Sequence, residues 1–280
     1  MARKPSEGPP RDIGPRTDVG ERGEQAPQAH TARPSRAKSI RLDERVLELG
    51  LETTRSRAQA RIQAGEVRLG ERVVDKPGML VPADAELVLL ARSPYVSRGG
   101  EKLAGALDAL GLDPAGLRCA DVGASTGGFT DCLLQRGAVS VFALDVGRGQ
   151  LDQKLRADPR VESLERTSVR HFELAPGREP FDLVTADVSF ISLRTVLPRL
   201  IALVRPTGRL LVLVKPQFEL ERKAAPKGVV RDPEQRARAV REVREAGQGL
   251  GLEALGETQS PLAGPKGNRE VFVLFSRPSC

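Results

Sequence analysis

The stretch ADVGASTGGFTDCLLQRG, residues 120–137, joins a strand-like run to a helix-like run through a glycine-rich turn. The residues from Leu117 to Val122 are mostly apolar, and the turn after them holds Gly123, Gly127 and Gly128. A strand, a glycine turn and a helix in this order typically bring the backbone close to a ligand. The nature of that ligand decides the function.

Three ligands compete for this turn. A nucleotide triphosphate loop needs a lysine after its last glycine, which is absent here, and the spacing G-x-x-x-G-G departs from the G-x-G-x-x-G of dinucleotide sites. S-adenosylmethionine is the third candidate, although a glycine turn alone decides for none of them. Asp145 follows the next strand-like run, and an acid there accepts hydrogen bonds from ribose hydroxyls. That acid fits any unphosphorylated adenosine ribose, including the ribose of NAD.

Composition limits the class of protein. The chain has 280 residues, 39% of them apolar, and a net charge of +7, so an anionic partner such as nucleic acid fits it. Three cysteines, Cys119, Cys132 and Cys280, show no metal-ligand spacing, which favours a reducing compartment and no metal site. No apolar run approaches the roughly 18 residues of a membrane span, and no secretory signal is visible. We therefore expect a cytoplasmic protein without a membrane partner.

The chain divides into four segments by pattern. Residues 1–38 contain six prolines and four glycines and predict a disordered basic tail. Residues 39–92 predict a small α+β module with two helices, which end at Gly50 and Gly65, and short strands around Gly70-Glu71. Ser93-Pro94 interrupts any regular element, so residues 93–100 form a linker. Residues 101–280 form the second domain.

The second domain alternates strands with helices, which predicts an α/β fold with a parallel sheet covered on both faces. A short loop joins the last two strands, so they pair antiparallel and one of the seven strands is reversed near the edge. The result is a seven-stranded Rossmann-like domain. The predicted helices are 101–111, 127–136, 192–203 and 233–249, and the predicted strands are 118–122, 140–145, 161–164, 182–186, 209–214, 252–259 and 270–276.

Two lysines and two carboxylates are expected at one edge of this sheet. Asp187 and Lys215 end the fourth and fifth strands, Glu270 opens the last strand, and Lys102 reaches over from the first helix. Ligands bind above the carboxyl ends of parallel strands. Such a set suits removal of a proton from a ribose 2′-hydroxyl beside a cationic methyl donor. Lys215 is the expected base if burial and the neighbouring Lys102 lower its pKa; Asp187 opposes that shift but orients the amine.

The N-terminal module resembles the alpha-L RNA-binding motif in the run Ser56-Arg57…Ala60…Ile62…Gly65-Glu66-Val67-Arg68-Leu69…Val73…Lys76-Pro77-Gly78. In that motif, arginines of the second helix meet RNA phosphates. The resemblance implies this role for Arg55, Arg57 and Arg61. Arg57 and Arg61 stand four residues apart and share one helix face.

The larger part of the chain, about residues 40–277, resembles the TlyA (hemolysin A) family. The motifs that carry the resemblance are YVSRGGEKL, DVGASTGGFTDCLL, LDVGRGQL, LERTSVR, ADVSFISL, LVKPQFE, KGVVRD and SPLAGPKGNREVF. The resemblance implies an FtsJ-like domain that methylates the 2′-hydroxyl of cytidine in ribosomal RNA with S-adenosylmethionine. The implied catalytic tetrad is Lys102, Asp187, Lys215 and Glu270, and the implied cofactor residues are Gly123, Ser125, Gly127, Gly128 and Asp145. Ribosomal RNA or a ribosomal subunit is the implied partner.

Two further classes of function remain to be weighed against this one. A non-catalytic RNA-binding protein of ribosome assembly would have no need of a lysine at a buried strand tip. The family's older name implies a membrane-active hemolysin, but the sequence shows neither a membrane span nor a long basic amphipathic helix.

Overall fold

The computed structural model describes residues 39–70, 72–90, 93–264 and 266–279. The tail predicted for residues 1–38 lies outside the described residues, as do Glu71, residues 91–92, Pro265 and Cys280. The described chain comprises an N-terminal module, residues 39–90, and a large domain, residues 93–279.

The N-terminal module has two helices and five short strands. The strands β2, β3 and β5 form one antiparallel sheet with β2 in its centre, and β1 pairs antiparallel with β4. The elements are β1 (Ser39–Arg41), α1 (Leu42–Glu48), α2 (Arg55–Gln63), β2 (Val67–Leu69), β3 (Arg72–Val74), β4 (Leu80–Pro82) and β5 (Leu87–Leu89).

Local sequence explains where these elements end. The Thr54 hydroxyl accepts a hydrogen bond from the backbone N–H of Arg57 and caps α2, as its position predicts. Gly50 and Gly65 follow the two helices with positive φ, which ends each helix in the left-handed region. The β1–β4 pair was not predicted, because strands of three residues carry too little alternation to be read from sequence.

The large domain contains seven strands that form one sheet in the order β11-β12-β10-β9-β6-β7-β8. The strands are β6 (Arg118–Val122), β7 (Ser140–Leu144), β8 (Val161–Leu164), β9 (Phe181–Ala186), β10 (Val204–Val214), β11 (Glu253–Gln259) and β12 (Val271–Ser276). Strand β12 runs antiparallel to both of its neighbours, and the other ladders are parallel. The predicted seven-stranded Rossmann-like sheet, with one strand reversed next to the edge, is confirmed.

Helices cover both faces of this sheet and bury its apolar residues in two layers. Leu103 and Leu107 from α3 and Leu133 from α4 pack on one face, while Val196 from α6 and Val243 from α8 pack on the other. The helices are α3 (Arg98–Leu110), α4 (Gly128–Gln135), α5 (Gln153–Arg156), α6 (Leu193–Leu203), α7 (Pro216–Glu219) and α8 (Pro233–Gly249).

The structure differs from the sequence prediction at several boundaries. Helix α3 begins at Arg98, so the last three residues of the predicted linker are helical. Strand β10 begins at Val204, but its pairing with β9 shifts between Val204 and Arg209, and only the regular part was predicted. The short helices α5 and α7 were not predicted, because a single turn shows no apolar periodicity.

The start of the large domain is fastened to α4. The backbone N–H of Val96 donates to the carboxylate of Asp131 at 2.8 Å, and the Gln135 amide donates to the Pro94 carbonyl at 3.0 Å. The Tyr95 ring lies against the backbone of Gly100, where a Cβ would lie 2.2 Å from the ring. These contacts fix the entry of α3 and thereby the position of Lys102 on it.

Candidate active site

The glycine turn between β6 and α4 is shaped by close contact with its surroundings. Gly123 has a φ of +87°, and a Cβ there would lie 2.5 Å from the carbonyl oxygen of Asp187. Gly127 has a φ of +94°, and a Cβ there would lie 2.3 Å from a methyl of Leu155. Gly128 begins α4. Glycine is favoured at positions 123 and 127 because of their positive φ, and at position 123 the backbone of Asp187 also fills the space of a side chain.

Asp145 follows β7 and fixes the turn from the neighbouring strand. One carboxylate oxygen accepts the backbone N–H of Ser125 at 2.8 Å, and the other accepts that of Gly147 at 2.6 Å. Ser125 has a φ of +49°, an uncommon value for a residue with a side chain, and its hydroxyl donates to the side chain of Gln150 at 3.2 Å. Each oxygen of Asp145 retains a lone pair for another donor.

Lys215 and Asp187 form an ion pair at the carboxyl ends of two neighbouring strands. Asp187 directly follows β9, Lys215 directly follows β10, and their side chains are in contact. The Lys215 ammonium also donates to the Ser189 hydroxyl at 2.9 Å. The Lys215 amine is therefore held between a carboxylate and a hydroxyl, with its side chain 11% exposed.

Lys102 and Glu270 form a second, more deeply buried pair. The Lys102 amine lies 2.6 Å from a carboxylate oxygen of Glu270, and their side chains are 9% and 1% exposed. Lys102 comes from α3, and Glu270 directly precedes β12. A pair with so little solvent is stable only while both partners are present, because either charge alone would be buried without compensation.

The two pairs lie at the end of the sheet where its parallel strands have their carboxyl ends. In the strand register, Val122 lies beside Ala186, and Val214 lies beside Val271, so Gly123, Asp187, Lys215 and Glu270 are all next to aligned strand ends. A cleft of about 250 Å³ at this end is lined by Lys102, Asp187 and the glycine turn, and by Gln63 to Gly65, Val73 and Asp75 of the N-terminal module. The structure therefore brings together all four residues predicted for the tetrad.

A second cavity, of about 340 Å³, adjoins the first. Both are lined by Gly123, Ser125 and Asp187. The second cavity also has Asp145 and Gln150 in its wall, with Leu144, Val146, Val169 and Ile191 as apolar surface. An acid beside apolar walls suits a nucleoside, whose sugar is polar and whose base is flat and largely apolar on its faces.

Asp121 is a buried carboxyl that the sequence prediction did not assign. It lies in β6 beneath the turn and accepts the backbone N–H and the hydroxyl of Thr130 at 2.9 and 2.7 Å. Its other oxygen has no hydrogen-bond partner among the described residues. Burial raises the pKa of Asp121 to about 7. Its place in an otherwise apolar strand was visible in the sequence, but its burial was not.

Ser189 and Gln150 are further site residues that sequence reasoning missed. Ser189 contacts the Lys215 amine, and Gln150 contacts the Ser125 hydroxyl. Ser189 stands two residues after Asp187, and that proximity was the available signal. Gln150 lies in a loop whose path the sequence did not define.

The three arginines predicted to meet RNA differ in exposure. Arg55 and Arg57 have side chains 51% and 57% exposed, paired with Asp43 and Glu52. The Arg61 side chain is 12% exposed; it pairs with Glu66 at 2.9 Å and donates to the Leu90 carbonyl. Arg57 and Arg61 both reach Glu52, as their common helix face predicts. The contacts of Arg61 fasten α2 to the rest of the module.

Comparisons with known proteins identify both parts of the chain. Residues 95–277 match the model of the FtsJ-like methyltransferases, and residues 40–87 match that of the S4 domain. The 16S/23S rRNA (cytidine-2′-O)-methyltransferase TlyA of Mycobacterium tuberculosis is 47% identical over 242 residues, which cover 85% of this chain and 90% of the relative. The chain belongs to the TlyA family of FtsJ-like methyltransferases.

Other members of the TlyA family extend the same likeness. Hemolysin A of Brachyspira hyodysenteriae is 38% identical over 84% of this chain and 99% of its own length. A solved structure of a Streptococcus thermophilus protein described as a hemolysin has a TM-score of 0.68 and 37% identity, and covers 86% of this chain and 90% of that one. The described part of this chain contains no helix long and apolar enough to cross a membrane.

S-adenosylmethionine is the cofactor that TlyA family membership implies, and the site geometry fits it. Gly123, which has no side chain, lies in the wall common to both cavities. Asp145 lines the second cavity with free lone pairs, as recognition of two ribose hydroxyls requires. Within the described ranges, His, Cys, Asp and Glu form no group of three or more that could hold a metal ion.

Proposed function

We propose that this chain methylates the 2′-hydroxyl of a cytidine in ribosomal RNA, with S-adenosylmethionine as the methyl donor. The observation that carries the proposal is the position of Lys215 and Asp187, with Lys102 and Glu270, beside the glycine turn. Relatives that match most of this chain are named as enzymes of this reaction. Such an enzyme acts in the cytoplasm, where ribosomal subunits are assembled.

The cofactor is proposed to span the two joined cavities. Asp145 would hold the ribose hydroxyls in the second cavity, and Gly123, Ser125, Gly127 and Gly128 would border the methionine portion. When bound, S-adenosylmethionine supplies an electrophilic methyl group on a sulfonium. The shared wall at Gly123 and Asp187 brings that part of the site close to Lys215.

Lys215 is proposed as the general base. Once deprotonated, its amine would take the proton of the ribose 2′-hydroxyl as the ribose oxygen forms a bond to the methyl carbon and the bond from that carbon to sulfur breaks. The products are the 2′-O-methyl ribose, S-adenosylhomocysteine and the Lys215 ammonium, which Asp187 and Ser189 stabilise. General-base catalysis of this kind contributes about 10²- to 10⁴-fold in rate.

Lys102 and Glu270 are proposed to position the target ribose. Lys102 lines the cleft beside Asp187, and the carboxylate of Glu270 holds the Lys102 amine through a hydrogen bond of 2.6 Å. An ammonium that meets a ribose oxygen would hold the hydroxyl in line with the methyl group. Such alignment contributes to rate by limiting the reactants to a productive geometry.

The S4 domain is proposed to contact phosphates of the RNA backbone while the target nucleotide turns into the cleft. Arg55 and Arg57 have the exposure that a phosphate contact needs. The contribution predicted for Arg61 has no such support, because its side chain is occupied within the domain. We propose residues 39–92 as the RNA-binding part and residues 101–280 as the catalytic part; the linker predicted for residues 93–100 is shortened, since α3 already begins at Arg98.

Methyl transfer to separated ribosomal subunits tests this function. Subunits from cells that lack the enzyme receive tritiated methyl groups from S-adenosylmethionine at fixed salt, and the labelled RNA is digested to nucleosides. We expect label in 2′-O-methylcytidine. Label on a base would refute ribose methylation. Bound cofactor without label on either subunit would indicate another RNA substrate, and absence of cofactor binding would favour a non-catalytic RNA-binding protein.

A further inference from the structure

We propose that a groove between α8 and the edge strand β11 binds the phosphate backbone of the RNA substrate. The groove has a volume of about 540 Å³ and lies outside the catalytic cleft. This inference rests on the proposed RNA substrate and adds a second contact surface, on the catalytic domain itself.

The arginines of the groove come from one face of α8 and from the loop before β12. Arg236, Arg241 and Arg244 lie on the helix, with Val240 between them, and Arg269 faces them from the start of β12. Arg241 and Arg244, three residues apart, are neighbours on the surface of α8, and Arg236 lines the same groove one turn before Val240. Thr258 and Gln259 of β11 form the opposite wall.

The charge of the groove is strongly positive. Four arginines line it, and Glu257 is the one carboxylate in its lining. Arg244 pairs with Glu257 at 3.3 Å, whereas Arg236, Arg241 and Arg269 form no ion pair with any residue that the structure describes. On the other side of α8, Arg238 pairs with Glu242 at 2.7 Å. The free guanidinium groups therefore collect on the groove side, and their planar donors match phosphate oxygens.

The groove opens at the end of the sheet that carries the tetrad. Arg269 is adjacent in sequence to Glu270, and the backbone N–H of Ser260 donates to the Glu270 carbonyl at 2.9 Å. Gln259 lies beside Val271 in the register, and Val271 lies beside Val214, which directly precedes Lys215. An RNA strand whose ribose meets Lys215 can therefore continue into this groove, and this continuity favours RNA over an acidic protein as the occupant.

The double variant Arg236→Gln/Arg241→Gln tests the groove. RNA binding is measured at several salt concentrations with unmodified ribosomal RNA transcribed in vitro, and kcat and KM are measured with subunits. The matched control, Arg160→Gln/Arg199→Gln, removes two arginines that form exposed ion pairs with Asp158 and Glu173. Arg160 precedes β8, at the end of the sheet where the parallel strands begin, which is opposite the end that carries the tetrad. Binding of S-adenosylhomocysteine reports whether each variant is folded.

We expect the groove variant to bind RNA about tenfold more weakly than the control, with a raised KM and kcat within about twofold. Each lost phosphate contact should reduce the slope of log affinity against log salt by about 0.7 to 0.9. Equal affinity and slope in the two double variants would overturn the proposal. If the wild type binds RNA through the groove yet transfers no methyl group, the groove stands and the proposed reaction fails.

Discussion

At the scale of single residues, backbone geometry and burial define this site as much as the reactive groups do. Gly123 brings the turn within contact of the Asp187 backbone, and Asp187 in turn holds Lys215. Asp121 lies beneath them without exposure to solvent. Each residue makes a prediction that a single substitution can test.

Gly123→Ala is expected to abolish cofactor binding and methyl transfer together. The new Cβ would lie 2.5 Å from a backbone oxygen, so the end of β9 must shift, and Asp187 would shift with it. Calorimetric titration with S-adenosylhomocysteine measures the loss. Gly116→Ala is the control, because Gly116 also has a positive φ, +74°, but has no atom within 4 Å of its Cβ position. Equal cofactor affinity in the two variants would show that the contact does not matter.

Asp121 is expected to make stability depend on pH. Its pKa is about 7 in the folded protein and about 3.9 in an unfolded chain, so the folded state binds an extra proton between these values. The free energy of unfolding therefore falls as pH rises through this window, by up to about 1.4 kcal/mol per unit. Urea unfolding at pH 5 and pH 8 should show a larger fall for the wild type than for Asp121→Asn. Parallel pH profiles would contradict the assignment.

At the scale of secondary-structure elements, the Lys102–Glu270 pair joins α3 to the start of β12 beside the first cleft, which Lys102 lines. Lys102 and Glu270 are 168 residues apart in the sequence, so the pair connects two distant segments of the chain at the site. The pair thus has both a structural and a positioning consequence, and a variant series can separate them.

Glu270→Ala is expected to lower the free energy of unfolding by about 3 to 5 kcal/mol and to remove activity, because it leaves Lys102 buried without its partner. The double variant Lys102→Met/Glu270→Leu should recover most of the stability, since apolar residues of similar size satisfy a buried site. It should recover no activity, because the positioning ammonium is absent. Stability follows from chemical unfolding, and activity from methyl transfer. Recovery of both would make the pair purely structural.

The sequence predicted the elements that contact one another through long apolar runs and left the rest open. Alternating strands and helices were sufficient for the seven-stranded sheet, and aligned strand ends were sufficient to bring Asp187 beside Lys215. The β1–β4 pair and the bond from Lys215 to Ser189 could not be predicted, because they depend on tertiary packing and loop paths. The burial of Arg61 was missed for the same reason: its partners Glu66 and Leu90 come from outside α2.

At the scale of the whole molecule, two surfaces are proposed to recognise RNA, one on the S4 domain and one on the catalytic domain. Exposed arginines occur on both, at Arg57 on α2 and in the groove beside α8. Phosphate contacts position an RNA without reading its sequence. The two surfaces are therefore expected to contribute to affinity and to leave the chemical step unchanged.

Arg57→Gln should raise KM for the RNA several-fold and leave kcat within about twofold. Its side chain is 57% exposed, and Arg57 is not among the residues that line either cavity. Arg72→Gln on β3 serves as the control, since it removes an exposed arginine from the same domain. Steady-state kinetics with unmodified subunits provide the comparison. A fall in kcat at saturating RNA would place Arg57 in the chemical step and contradict its assignment.

Single-turnover methyl transfer by Lys215→Met is the sharpest test of the proposal that Lys215 removes the proton of the ribose 2′-hydroxyl. The exposed Lys223, whose side chain is 85% exposed, provides the control variant Lys223→Met. We predict a rate about 10²- to 10⁴-fold below the wild type for Lys215→Met, with affinities for cofactor and RNA within about twofold. A near-wild-type rate with cofactor and RNA both bound would contradict the mechanism.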